Sequence, residues 1–247
     1  MQSLSTMKKT IMVLAATFIC GSMFFASCGK DDEINNGSNP GSIVSPTLQW
    51  VDLDLPSGLL WADRNLGAST PEDYGNYYAW GETQPKESYL WSTYRYCTYL
   101  GSYPMEALET LTKYNTNGSL GAVDNRTFLE AIDDAATACL GDEAYTPVKE
   151  EWDELIENTT HEYVSQNGVY GIRFTGANGN SIFLPAAGLG GEDSYDVGVG
   201  GYYWSESLDE KNPGMAFIFH FSPQTANSTN CLRYAATSVR AVRLGLI

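Results

Sequence analysis

The alternation of apolar and polar positions predicts a chain built mostly of short strands, with two helices between them. Met215, Phe217, Phe219 and Phe221 alternate with Ala216, Ile218 and His220, the clearest period-two strand in the sequence. Val51, Leu53 and Leu55 alternate with Asp52 and Asp54. Pro56-Ser57-Gly58 then turns the chain into Leu59-Leu60-Trp61-Ala62, so residues 48–62 read as a β-hairpin. Residues 171–175 and 181–184 flank Gly176-Ala177-Asn178-Gly179-Asn180 and read as a second hairpin. Tyr202-Tyr203-Trp204-Ser205 reads as a short strand, residues 222–230 as a polar loop and residues 238–243 as the closing strand.

Helical spacing occurs in the middle of the chain. Thr127-x-x-Glu130 has capping-box spacing and Leu129, Ile132, Ala136 and Cys139 recur on one face, predicting a helix over about residues 125–139 that ends at Gly141. A second helix is expected with Thr146 as N-cap, Pro147 in its first position and Trp152, Leu155 and Ile156 on a common face. Residues 71–103 are crowded with Tyr and Trp but keep no period, and read as a long structured loop region with short strands. Residues 188–200, rich in Gly and acid, read as a flexible loop.

A different pattern opens the chain. Lys8 and Lys9 precede an apolar run from Ile11 to Phe25, too short for a stable membrane span, and Ala26-Ser27-Cys28 follows. These residues resemble the signal of a bacterial lipoprotein, in which Cys28 becomes the acylated first residue and the outer membrane the partner of its lipid. The acidic run after Cys28 is similar to the export signal of Bacteroides-type surface lipoproteins. The expected division is a signal peptide over residues 1–27, a Gly/Ser/Asn/Pro-rich flexible tether over 28–46 and one domain over 47–247.

The 247 residues hold 14 basic and 30 acidic side chains, and loss of Lys8 and Lys9 moves the formal charge from −16 to −18. A phosphate backbone rewards clustered Lys and Arg, so nucleic acid is excluded as a partner class. The acidity reads as solubility at a crowded surface, or as an acidic binding surface. Cys97, Cys139 and Cys231 remain in the domain; they read as small buried hydrophobes, or as one disulfide plus a thiol.

The strings VDLDLPSGLLWADRNLGA, PEDYGNYYAWGET, LEAIDDAA, EEWDELI, GNSIFLPAAG, GYYWSES and SVRAV occur in order from Leu48 onward. Together they resemble a group of lipoproteins from gut Bacteroides-type bacteria, related to the family named for the major paralogous domain of Fibrobacter. The resemblance implies a C-type-lectin-like fold of class α+β, with terminal strands paired, two helices, and a late loop region leading into the last hairpin. The chain departs from that pattern around Asp142 to Lys149.

Candidate chemistry follows from these readings. The Glu-Pro-Asn, Gln-Pro-Asp and Trp-Asn-Asp strings of calcium-dependent lectins are missing. Glu192, Asp193 and Asp196 carry the oxygen ligands that calcium takes, or form a solvated acidic loop. Trp91, Tyr94, Tyr78 and Trp80 are the expected ligand-contacting rings, because exposed Tyr and Trp stack on sugars and anchor proteins; the alternative is that they pack a loop short of other core residues. His161 and His220 have no nucleophile motif beside them. Asp133 and Asp134 read as local hydrogen-bonders or a solvated face, and Arg240 and Arg243 as partners for surface acids. The expected function is a lipid-anchored surface module that binds a glycan or an extracellular protein, with no catalytic residues, cofactor or metal. The alternatives are an accessory subunit of a surface assembly and an enzyme acting on polysaccharide.

Overall fold

A computed structural model describes residues 47–98, 110–191 and 194–245. The signal peptide, Cys28 and the tether lie outside these residues. No helix among the described residues is long and apolar enough to cross a membrane.

The first hairpin joins β1 (Trp50–Asp52) and β2 (Leu59–Ala62), with Trp50 opposite Ala62. Gly58, at φ +71°, closes the turn by donating its N–H to the Leu55 carbonyl at 2.9 Å. The aromatic region contributes two short strands, β3 (Tyr77–Tyr78) and β4 (Cys97–Thr98), the latter paired with β5 (Thr110–Leu111).

Of the helix expected over residues 125–139, only α1 (Ala135–Leu140) forms, after a single 3₁₀ turn at Ala131–Asp133. Tertiary pairing overrides the capping-box pattern: the Thr127 carbonyl accepts from Leu208 N–H at 2.8 Å and Leu129 N–H donates to the Glu206 carbonyl at 3.2 Å. Asp134 is the working N-cap, accepting from Ala136 N–H at 3.0 Å. After β6 (Ala144–Tyr145), helix α2 (Lys149–Asn158) begins later than expected. Thr146 turns back to Asp134, and the Glu151 carboxylate accepts from Val148 N–H at 2.9 Å.

The second half is strands: β7 (Thr160–Gln166), β8 (Val169–Thr175), β9 (Ser181–Pro185), β10 (Gly201–Leu208), β11 (Met215–Ser222), β12 (Thr225–Leu232), β13 (Thr237–Ser238) and β14 (Val242–Leu244). The class is α+β. β12 occupies most of the expected polar loop. Its Thr, Ser and Asn side chains hide a strand that is paired on one side only, with β11, in unbroken register from Met215↔Leu232 to Ser222↔Thr225.

Two larger sheets result, ordered β1-β2-β14-β6 and β12-β11-β10-β13-β3, beside a three-stranded sheet β7-β8-β9 and the pair β4-β5. β14 pairs antiparallel with β2, which brings the two ends of the domain together. The five-stranded sheet separates two cores. Trp204, Ala216 and Ile218 face the first, with Tyr78, Trp80 and Trp91; their neighbours Tyr203, Phe219 and Phe221 face the second, with Trp61, Trp152 and Phe174. Trp152 of α2 stacks on Phe219 at 4.9 Å between ring centroids and 13° between planes.

Arg240, expected at the surface, is fully buried between β13 and β14. Its guanidinium donates to Asn65 Oδ1 at 2.7 Å and to the carbonyls of Ala62 and Phe183, each at 2.9 Å. Burial with no carboxylate in contact lowers its pKa to about 10. Arg243 lies 3.9 Å from Glu143 and covers the Trp50 ring.

Candidate functional site

The four rings expected to meet a ligand are inside the protein. Tyr78 and Trp80 are 1% exposed, Tyr94 2% and Trp91 3%, so an open ring-lined groove at these residues is corrected to a core. The segment from Tyr74 to Thr98 supplies few aliphatic residues, and aromatic edges fill the space. Trp91–Tyr94, Tyr94–Tyr96, Tyr96–Tyr114 and Tyr114–Trp80 form a chain of edge-to-face contacts 5.0–5.9 Å apart. The polar atoms of Trp80 and Tyr94 are also occupied. Trp80 Nε1 donates to the Ser205 carbonyl and Tyr94 Oη to the Trp80 carbonyl, each at 2.8 Å.

Arg233, fully buried, is the hub of this core. Its guanidinium carbon lies 4.8 Å from the Trp80 ring centre and 5.2 Å from that of Tyr94. It donates to Tyr94 Oη at 2.9 Å and to the carbonyls of Tyr114, Pro213 and Lys113 at 3.0, 2.9 and 3.1 Å. Cys97, Cys139 and Cys231 pack as half-buried thiols against the same core, and no disulfide joins them. A small crevice is lined by Trp80, Gly81, Leu129, Thr146 and Trp204.

Asp133 and Asp134 are buried as well. Asp133 takes Lys113 Nζ and, at 2.7 Å, Tyr114 Oη; its pKa lies below the usual carboxylate value because these donors and the ammonium charge outweigh burial. Asp134 accepts from Thr137 Oγ1 and Thr146 N–H, each at 2.9 Å, and from Thr146 Oγ1 at 2.5 Å. Glu206 is set against Asp134 and Glu151, and burial followed by these two like charges pushes its carboxyl up to about 8. Among the described residues, no group of three or more His, Cys, Asp or Glu is arranged to hold a metal ion. Asp196 is engaged by Tyr202 Oη at 2.8 Å, while Glu192 and Asp193 lie outside the described residues.

Among the described residues, exposed large apolar side chains include Phe128 and Ile132 ahead of α1, Leu244 on β14, and a band of rings and valines at the end of the five-stranded sheet where β10 begins. Tyr195 is 61% exposed and Tyr170 53%, with Val197 and Val199 close behind. Outside residues 192 and 193, which are not among the described ones, the loop that carries three of them is held by main-chain bonds. Gly188 N–H donates to the Gly200 carbonyl at 2.8 Å, Leu189 and Tyr195 exchange bonds at 2.9 and 3.1 Å, and Gly198 N–H donates to the Ala186 carbonyl at 2.7 Å. Glycine is required at 188, where φ is +64° and a Cβ would strike the Tyr195 carbonyl.

The hairpin of β7 and β8 extends this band. Tyr163 and Tyr170 stack at 5.8 Å with 8° between planes, and Tyr163 Oη donates to the Val199 carbonyl at 3.0 Å. On the other side Tyr202 covers His220 at 4.6 Å, and burial holds that imidazole below its ordinary pKa. Sequence reasoning missed these residues. The available signal was the alternation of Tyr195, Val197 and Val199 with Asp196 and Gly198 inside a Gly-rich loop.

The chain matches no protein-family model, no curated protein and no solved structure.

Proposed function

We propose that this chain is a lipid-anchored, surface-displayed binding module with a C-type-lectin-like domain, which recognises a glycan or an extracellular protein without catalysis. The observation that carries the reading is the exposed band of Tyr170, Tyr195, Val197 and Val199 on a backbone-pinned loop. A rigid loop offers apolar and ring surface to a ligand with little ordering cost, which is how affinity is gained by preorganisation. Tyr adds a polar edge to a flat apolar face, the combination suited to sugar faces and protein anchors. The lectin-like reading draws support from the pairing of β2 with β14, from two helices between the terminal strands and from a long loop before the last strands. The anchor reading rests on the residues around Cys28.

The test is an array of glycans and extracellular proteins probed with the protein and with a Tyr170→Ala/Tyr195→Ala variant. Specific signals that fall at least tenfold in the variant, with an unchanged unfolding midpoint, support the site. Signals that survive both substitutions refute it. Lipid incorporation that persists in Cys28→Ala refutes the anchor independently.

A further inference from the structure

We propose that the outer edge of β12 is a docking site for an extended, basic segment of another polypeptide, added as a further strand to the five-stranded sheet. The order β12-β11-β10-β13-β3 leaves β12 at the margin. Arg233 N–H donates to the Gly214 carbonyl, which continues the ladder and fixes its parity: odd-numbered residues of β12 bond to β11, and Ala226, Ser228 and Asn230 turn their main-chain groups outward. Among the described residues, none of these outward groups meets a main-chain partner; the Ser228 carbonyl accepts only Asn227 Nδ2, at 3.2 Å.

Other strand edges in this fold are blunted. β1 is three residues long and holds Asp52, β3 and β6 have two residues each, β7 carries His161 and Glu162, and β9 ends in Pro185 with its Phe183 carbonyl taken by Arg240. Short length, charge and proline are the usual protections of an edge. β12 has none of them. Its eight residues, TANSTNCL, are uncharged and free of proline, and the register with β11 is unbroken.

The surroundings select the partner's charge. Ser228 Oγ donates to Asp153 of α2 at 2.5 Å, so the α2 side of an incoming strand meets that carboxylate; Glu150 and Glu157 stand three and four residues from it along the helix. At the far end Asn230 Nδ2 donates to Asp209 at 2.7 Å, with Glu210 next in sequence. Lys149, paired with Asp153, and Lys211 are the cations nearby. Carboxylates outnumber them, so a second copy of this acidic chain is disfavoured and a strand with Lys or Arg on its α2 face is favoured.

The probe is a blocked nine-residue peptide alternating lysine and threonine, titrated onto the isotope-labelled protein. Binding is expected to slow amide exchange at Ala226, Ser228 and Asn230 specifically. Methylating alternate peptide nitrogens, which removes one edge of donors, should weaken affinity at least tenfold, and so should Ser228→Pro or Asp153→Lys. A glutamate/threonine peptide should not bind. The proposal is overturned by absence of binding at millimolar peptide, by equal binding of the methylated or acidic peptide, or by protection elsewhere. Self-association that already protects these amides in the protein alone overturns it too, by giving the edge to a second copy. The amide readout needs no variant, so it holds even where a substitution impairs folding.

Discussion

Replacing Glu206 by glutamine should make the domain more stable at alkaline pH and leave it unchanged at acid pH. Glu206 sits on β10, where burial, and then the charges of Asp134 and Glu151, raise its carboxyl from 4.5 to about 8. Between those values the folded protein keeps a proton that the unfolded chain has released. Stability therefore falls as pH rises through the window from about 4.5 to about 8, and levels off above it. At ~1.4 kcal/mol for each pH unit of displacement, full ionisation corresponds to about 5 kcal/mol. Glu206 keeps part of its surface in water, and screening reduces this to about 2–3 kcal/mol. Glutamine keeps the shape without the charge. For a domain of this size, ~2 kcal/mol moves the midpoint by about 4–8 °C. Calorimetry of both proteins at pH 4.5, 6.5 and 8.5 reads the difference directly, and the effects of titrating groups that are not coupled to Glu206 cancel between them. Expected are coincident midpoints at pH 4.5 and a gap in favour of the variant that widens to pH 8.5. Parallel curves would refute the reasoning, because they would mean that Glu206 ionises in the fold as freely as in the open chain.

Arg233→Lys should destabilise by about 2–4 kcal/mol in urea titration, since a single ammonium cannot meet the carbonyls of Tyr114, Pro213 and Lys113 together with Tyr94 Oη. Trp91→Ala should lower stability by about 3–5 kcal/mol, as a core truncation does; a change below ~0.5 kcal/mol would put this ring at the surface. Gly188→Ala should reduce ligand retention although it touches no exposed ring, because its Cβ displaces the Tyr195 carbonyl and loosens the loop. Unchanged binding would show that the pinned backbone is irrelevant to recognition.

Local pattern was enough for elements whose partners are near in sequence. The hairpin of β1 and β2, the turn between β8 and β9, and β11 all follow from alternation and turn residues, and all are present. Distant partners defeated the reading elsewhere. The backbone of Thr127 and Leu129 is drawn into pairing with β10, so a plausible helix start became extended chain. β12 is polar on both faces: Thr225, Asn227 and Thr229 are exposed, and Ser228 and Asn230 bond to Asp153 and Asp209, so period-two apolar alternation cannot detect such a strand. The aromatic residues were the hardest case. Tyr94 and Tyr195 are the same side chain in segments that keep no helical period, one among Ser, Thr and other rings and one in a Gly-rich loop. One is buried because Arg233, 139 residues later, closes over it, and the other is exposed on a loop tied by its own main-chain bonds, by Tyr202 Oη on Asp196 and by Tyr163 Oη on the Val199 carbonyl.

That last contrast bears on how recognition can vary in this fold. The bonds that hold residues 188–191 and 194–200 run between backbone groups of Gly188 and Gly200, Leu189 and Tyr195, and Gly198 and Ala186, with Tyr202 Oη on Asp196 and Tyr163 Oη on the Val199 carbonyl beside them. None of them uses the side chain of Tyr195, Val197 or Val199. These three positions can therefore change identity without disturbing the loop path, whereas Tyr78, Trp80, Trp91 and Tyr94 hold the first core and cannot. The interior aromatic chain fixes the scaffold, and under the proposed function the exposed band is what meets the ligand. Under the proposed function, stability and specificity are thus carried by different tyrosines, and the outer set is free to change identity at little risk to the fold.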